Sequence, residues 1–209
     1  MIRILIADDH SIVRRGLRQI LQEGFPTAAI EEVPDAEAMI KAIIQAEWDV
    51  VISDLSMPGR SGLEALQQIK QLYPRLPVLI LSIHPEEQYA LRVLKAGASG
   101  YLSKDMAPDE LVNAVHRVML GKKYITASIA EKLTSVLDQD SNKPPHESLS
   151  DREFSVLKLL ASGKSVSEIA ESLYLSVTTV STYRARIMAK MGMKNNADLT
   201  LYAIEYKLL

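Results

Sequence analysis

The 209-residue chain contains no cysteine, so disulfides, thiolate metal sites and cysteine nucleophiles are excluded. A cysteine-free chain suits a reducing compartment. No apolar run approaches the roughly 18 residues that a membrane helix needs. The amino terminus, Met1-Ile2-Arg3-Ile4-Leu5-Ile6-Ala7-Asp8, turns acidic too soon for a secretory signal. These absences point to a cytoplasmic protein with no membrane partner. Internal repeats and low-complexity tracts are lacking too. So is a large excess of either charge, the formal net being −2.

The charge is nevertheless placed unevenly. Residues 1–120 carry 12 basic against 16 acidic side chains, a net of −4. Between Ser172 and Ala197 stand Arg184, Arg186, Lys190 and Lys194 with no acidic residue. An acidic half joined to a short basic stretch suggests two tasks, the second involving a polyanion. Four cations could also simply solvate a helix.

An apolar fraction of 47% and a charged fraction of 24% are those of a globular protein. The pattern along the chain supplies the architecture. Ile2–Ala7, Ala28–Val33, Val50–Ser53, Val78–Ser82 and Gly100–Leu102 read as short buried strands. Between and after them lie helical patterns at Ser11–Leu21, Asp35–Ala46, Gly62–Leu72, Glu86–Lys95 and Pro108–Leu120. In the first, Ile12, Val13, Leu17, Ile20 and Leu21 form the inner face. In the second, Met39, Ile40, Ile43 and Ile44 do so. Regular alternation with short loops predicts an α/β doubly wound, five-stranded parallel sheet.

Beyond Gly121 the alternation stops. Thr126–Leu137 has helical spacing (Ile129, Leu133, Val136, Leu137), and Asp138–Glu147 has almost nothing to bury and reads as a linker. Everything after it is helical. Ser150-Asp151-Arg152-Glu153 and Ser165-Val166-Ser167-Glu168 are capping boxes that open two helices. Ser176 caps a longer helix, Val177–Met191, stopped by Gly192. A last helix from Asn196 carries Leu199, Leu201, Ile204 and Leu208. The expected boundaries are 1–121 for the α/β domain, 122–147 for a linker including a helix, and 148–209 for a small all-α domain.

Right-handed crossovers bring the carboxyl ends of parallel strands to one edge, where ligands bind in such sheets. Asp8, Asp9, Asp54, Ser82 and Lys104 are the residues delivered there. Three carboxylates in one cleft repel one another unless a cation joins them. Their hard oxygens suit Mg²⁺, which keeps positions open for phosphate oxygens. Lys104 and Ser82 suit phosphoryl oxygens. A carboxylate nucleophile in that company can form an aspartyl phosphate. Each residue alone has a plainer reading: a helix cap for Asp8 or Asp9, a solvated cation for Lys104, a core ring for Tyr101. Together they do not.

Asp8-Asp9, Asp54 before Met57-Pro58-Gly59, Ser82, and Tyr101 before Lys104 resemble the receiver domain of two-component response regulators, a flavodoxin-like fold. The resemblance covers residues 1 to about 120. It implies Asp54 as phosphoacceptor, with Asp8, Asp9, Asp54 and the Ser56 carbonyl around Mg²⁺. It further implies that Ser82 and Lys104 bind the phosphoryl group and that Tyr101 turns inward when Ser82 moves. Ser56 and His84 fall where receivers modulate hydrolysis of the phosphoryl group. Asp105 stands where the family often has proline. Haloacid-dehalogenase enzymes also use a nucleophilic aspartate but need a carboxylate two residues on. Here that residue is Ser56, so an enzyme is not expected.

A short helix, a tight turn and a longer basic helix form a helix-turn-helix pattern. Leu149-Ser150-Asp151-Arg152-Glu153, Ile169-Ala170 and Thr179-Val180 through Gly192 resemble the LuxR/FixJ-type DNA-binding domain over about Leu149 to Leu209. Ser181 and Tyr183 depart from the family's common lysine and histidine. Thr178, Ser181, Thr182 and Ala185 are the exposed, base-facing candidates, and small neutral side chains there predict modest direct readout. Arg184, Arg186, Lys190 and Lys194 are expected to contact phosphates. The whole chain therefore resembles a NarL/FixJ-type response regulator. Its implied partners are a sensor histidine kinase, double-stranded promoter DNA and, when phosphorylated, a second copy, met through the last helix from Leu199 to Ile204.

Overall fold

The computed structural model describes residues 1–105, 108–126, 129–131 and 144–209. Two compact units divide the chain at residues 135 and 136. Leu133, Val136 and Leu137 of the expected helix, and most of the expected linker, lie outside the described residues.

The first unit alternates strand and helix throughout: β1 (Arg3–Ala7), α1 (Ser11–Gly24), β2 (Ala29–Val33), α2 (Ala36–Gln45), β3 (Val50–Asp54), α3 (Gly62–Leu72), β4 (Val78–Ser82), α4 (Glu86–Lys95), β5 (Gly100–Ser103) and α5 (Pro108–Met119). The sheet is parallel, in the order β2-β1-β3-β4-β5. β3 and β4 are buried along their whole length, as continuous aliphatic runs with helices on both faces should be. One face of the sheet (Ile4, Ile6, Ile52, Leu79, Leu81) packs on Leu17 and Leu21 of α1 and on Leu111, Val115 and Val118 of α5. Side-chain alternation sends Leu5, Val51 and Ile80 to the opposite face.

Local signals set the helix starts. Asp35 accepts Ala38 N–H, and Ser61 and Glu64 form a capping box. Gly62 is forced by packing: a Cβ there would lie 2.0 Å from the Asp54 carbonyl oxygen. The α3 start can thus be pressed against the end of β3.

Two helical periodicities overran the sheet. Ile12 is 82% exposed and Ile44 is 60% exposed, although both share spacing with buried neighbours. Ile12 lies in the first turn of α1 and Ile44 in the last turn of α2, where the sheet no longer covers the helix face.

The second unit contains a 3₁₀ turn (Pro145–Ser148) and helices α6 (Asp151–Ala161), α7 (Val166–Ser172), α8 (Val177–Met191) and α9 (Asn196–Glu205). Both expected capping boxes form, Ser150 with Glu153 and Ser165 with Glu168. Phe154, Leu157, Leu160, Ile169, Val180 and Ile187 are core. In α9 the expected docking stretch splits. Leu199 is buried in this core, whereas Leu201 and Ile204 are exposed, because residues two apart face different sides of a helix.

Candidate functional site

The register of the sheet aligns the strand ends. Ala7 pairs with Ser53, Asp54 with Leu81 and Ser82 with Ser103, so Asp8, Asp54, Ser82 and Lys104 emerge on one edge. Asp8, Asp54 and Ser82 are almost fully buried. Lys104 Nζ lies 2.6 Å from Asp8 Oδ2 and 3.0 Å from Asp54 Oδ2. One ammonium therefore spans two carboxylates.

Charge in this cleft is incompletely balanced. Burial pushes the Asp54 carboxyl above its ordinary value, against Lys104, which favours ionisation; the Asp8 charge adds to the rise. Burial also works against the Lys104 ammonium, but Asp8 and Asp54 outweigh it and hold its pKa above the ordinary lysine range.

Asp8, Asp9, His10 and Asp54 each offer a ligating atom within 4.8 Å of the others. Asp9 Oδ1 is buried without an aligned hydrogen bond, although His10 Nδ1 stands 2.8 Å away. Two buried carboxylates and a third with an unsatisfied oxygen fit a hard divalent cation, whereas the His10 imidazole adds nothing to that preference.

Ser56 and His84, one residue set from each flanking loop, meet directly: Ser56 Oγ and His84 Nε2 are 3.0 Å apart, and the imidazole stacks on Tyr89. Ser82 Oγ accepts the His84 N–H at 3.0 Å. Tyr101 is fully buried and already inward, its hydroxyl donating to the His84 carbonyl at 2.8 Å. Burial raises its pKa to about 12, so it is a constant donor at neutral pH.

Two neighbours escaped the reading from sequence. His10 follows Asp8-Asp9 directly, and that Asp-Asp-His run was the available signal. Arg14 Nη1 donates to the Asp8 carbonyl at 2.6 Å. It lies within the apolar spacing of α1, and nothing marked it out.

In the second unit Thr178, Ser181, Thr182, Ala185 and Arg186 share the exposed face of α8, with Lys194 exposed just beyond it. The Thr182 hydroxyl donates to the Thr178 carbonyl at 3.0 Å. The other two expected phosphate contacts are tied into the fold. Arg184 Nε donates to Asn196 Oδ1 at 2.9 Å. Lys190 Nζ lies 2.6 Å from Oε2 of Glu153, which is 3% exposed. Burial opposes ionisation of Glu153, but Lys190 and the Ser150 N–H prevail and hold its pKa below the ordinary value.

Comparison with known proteins decides the family. A model of the response regulator receiver domain matches residues 4–116, and one of the bacterial regulatory proteins of the luxR family matches residues 147–203. Response regulator UvrY of Escherichia coli (strain K12) is 37% identical over 209 residues, which span 100% of this chain and 96% of that protein. The chain belongs to the NarL/FixJ family of response regulators. Oxygen regulatory protein NreC of Staphylococcus carnosus (strain TM300) is also 37% identical, over 99% of each chain. Among solved structures, RcsB of Salmonella enterica serovar Typhimurium, bound to promoter rprA in the presence of the phosphomimetic BeF3-, matches with 30% identity and a TM-score of 0.63, covering 97% of this chain and 98% of that one. This response regulator thus has a receiver followed by a LuxR-type DNA-binding domain. No helix among its described residues is long and apolar enough to cross a membrane.

Proposed function

We propose that Asp54 is the phosphoacceptor of a switch that controls promoter binding and transcription, within a receiver spanning 1–121, a linker at 122–147 and a DNA-binding domain at 148–209. The observation that carries this reading is the bridge of Lys104 between Asp8 and Asp54 in a buried cleft. A structural lysine needs one partner. One suspended between two carboxylates has an ammonium that a new anion on Asp54 can recruit.

An Asp54 carboxylate oxygen attacks the phosphorus of a phosphohistidine on the partner kinase, or of a small phosphodonor. A P–O bond forms as the donor's P–N or P–O bond breaks, and the leaving group keeps the electron pair. Asp8, Asp9, Asp54 and the Ser56 carbonyl would hold Mg²⁺, which offsets the negative charge gathered there. Lys104 and the Ser82 hydroxyl bind the phosphoryl oxygens, while Tyr101 holds the loop after β4 through the His84 carbonyl. The protein is a cytoplasmic regulator and not an enzyme acting on a separate substrate.

On DNA, Thr178, Ser181, Thr182 and Ala185 face base edges. Arg186 and Lys194 supply the phosphate contacts, because Lys190 and Arg184 are engaged with Glu153 and Asn196. Phosphorylation favours a homodimer through the exposed Leu201 and Ile204, and two half-sites bound together gain effective concentration.

The test is selection of duplexes from a random pool by the full chain, with and without Mg²⁺ and beryllofluoride. The proposal expects a sequence enriched only with beryllofluoride, bound about tenfold or more tightly. Equal enrichment and affinity in both conditions would identify a constitutive DNA-binding module instead.

A further inference from the structure

The segment that follows α5 returns to the sheet as a strap. Tyr124 bridges to Gly100 on β5, its N–H donating to the Ser99 carbonyl at 2.8 Å. Lys123 Nζ donates to the Ala98 carbonyl. The Tyr124 ring is buried, its hydroxyl donates to Glu110 Oε1 of α5 at 2.8 Å, and Arg117 lies over its face at 5.8 Å. Gly100 makes the approach possible. A Cβ there would lie 2.7 Å from the Tyr124 carbonyl oxygen and 2.8 Å from a Leu79 methyl.

At its far end the strap meets the switch loop. The Thr126 hydroxyl donates to Glu86 Oε1 in the first turn of α4, and Thr126 Oγ1 in turn accepts the Ile129 N–H at 3.3 Å. The Thr126 carbonyl accepts the Ala130 N–H at 3.0 Å. Thr126 is therefore the amino-terminal cap of the helical residues Ile129–Glu131, with its own proton committed to α4. Glu86 lies two residues after His84, whose N–H goes to Ser82 and whose carbonyl takes the Tyr101 hydroxyl. The neighbouring β5 residues Gly100 and Tyr101 thus touch the strap and the switch loop respectively.

We infer that the Glu86–Thr126 hydrogen bond is a latch through which the state of the Asp54 site reaches the segment leading to the DNA-binding half. The inference rests on Asp54 being the phosphoacceptor. A phosphoryl group draws the Ser82 hydroxyl away from His84 N–H. The loop carrying His84 and Glu86 then shifts, and Glu86 releases Thr126. The cap of the helix at Ile129 loosens while Tyr124 stays seated on Gly100. Glu86 and Thr126 are positioning residues, remote from the reacting atoms.

Hydrogen exchange read by mass spectrometry on the full chain tests this, with and without Mg²⁺ and beryllofluoride. In the wild type the peptide covering 54–62 should become protected, and exchange at 129–131 should quicken about tenfold, the scale expected for losing one charge-assisted hydrogen bond. Glu86→Ala should show quickened exchange at 129–131 from the outset, with no further response, while the 54–62 response persists. Thr126→Val should behave likewise. A response at 54–62 with none at 129–131 would overturn the latch and leave the phosphoacceptor reading standing. So would a Glu86→Ala variant that responds as the wild type does. Silence at both peptides in the wild type would overturn both readings.

Discussion

The two halves of this protein use charge in opposite ways. The first gathers Asp8, Asp54 and Lys104 into a buried cleft where desolvation, helped by the Asp8 charge, outweighs the pull of Lys104, so Asp54 is held above its ordinary pKa. The second buries Glu153 but outweighs that burial with Lys190 and the Ser150 N–H, so its pKa falls below the ordinary value. A buried cleft with two carboxylates to one ammonium calls for a further cation before it takes another anion. Balance suits a scaffold that holds a helix in place.

The largest expected effect tests how tightly the first site is built. Gly62→Ala places a methyl group against the Asp54 carbonyl, at a position where backbone must move. It should destabilise the first unit by about 3 kcal/mol or more. The only tryptophan, Trp48, lies in that unit, so its fluorescence in urea reports this unfolding separately from circular dichroism of the whole chain. An unchanged fluorescence midpoint would show that the α3 start is not pressed on β3 as described.

Next comes the balanced pair. Lys190→Met leaves Glu153 buried without its cation and should cost the second unit about 1–3 kcal/mol, visible by circular dichroism but not in Trp48 fluorescence. The pH dependence follows from the lowered pKa. Glu153 binds its proton more weakly folded than unfolded. Its contribution is thus present above the unfolded value of about 4.3 and is lost as pH falls through the lower folded value. Glu153→Gln should remove that acid sensitivity from the circular dichroism transition. An acid limb identical to the wild type's would contradict the ion pair.

The opposite sign is expected at Asp54. Its raised folded pKa means that its contribution is favourable below the unfolded value of about 3.9 and is lost as pH rises through the folded value. At neutral pH, without divalent cations, Asp54→Asn should raise the thermal midpoint of Trp48 fluorescence by about 2–5 °C. A fall would mean that the pairing with Lys104 outweighs burial.

The smallest effect separates free cations from engaged ones. Arg186→Ala should flatten the dependence of DNA affinity on log salt by about one unit, since one phosphate contact is lost. Arg184→Ala should leave that slope nearly unchanged while lowering stability. Equal slopes for the two variants would show that Asn196 does not withhold Arg184 from DNA.

These contrasts track how much of the protein its sequence makes legible. Aliphatic runs, capping residues and the residues ending each strand carry most of the fold and the Asp54 cleft, because strand ends in a parallel sheet are a topological consequence of order alone. Ile12 and Ile44 misled because periodicity registers a helix face and not how far the sheet extends beneath it. The protein partners of Lys190 and Arg184 were not legible, because a cation on a helix looks the same in sequence whether or not a residue such as Glu153, 37 positions from Lys190, reaches it. The strap was hidden for the same reason. Gly100, Tyr124 and Thr126 are unremarkable until the backbone brings them together.

The most direct test of the central claim is intact mass after incubation with acetyl phosphate and Mg²⁺, for the wild type and Asp54→Asn side by side. A single phosphoryl adduct on the wild type alone is the predicted result. An adduct of equal yield on both proteins would contradict it, because the phosphoryl group would then reside elsewhere than on Asp54.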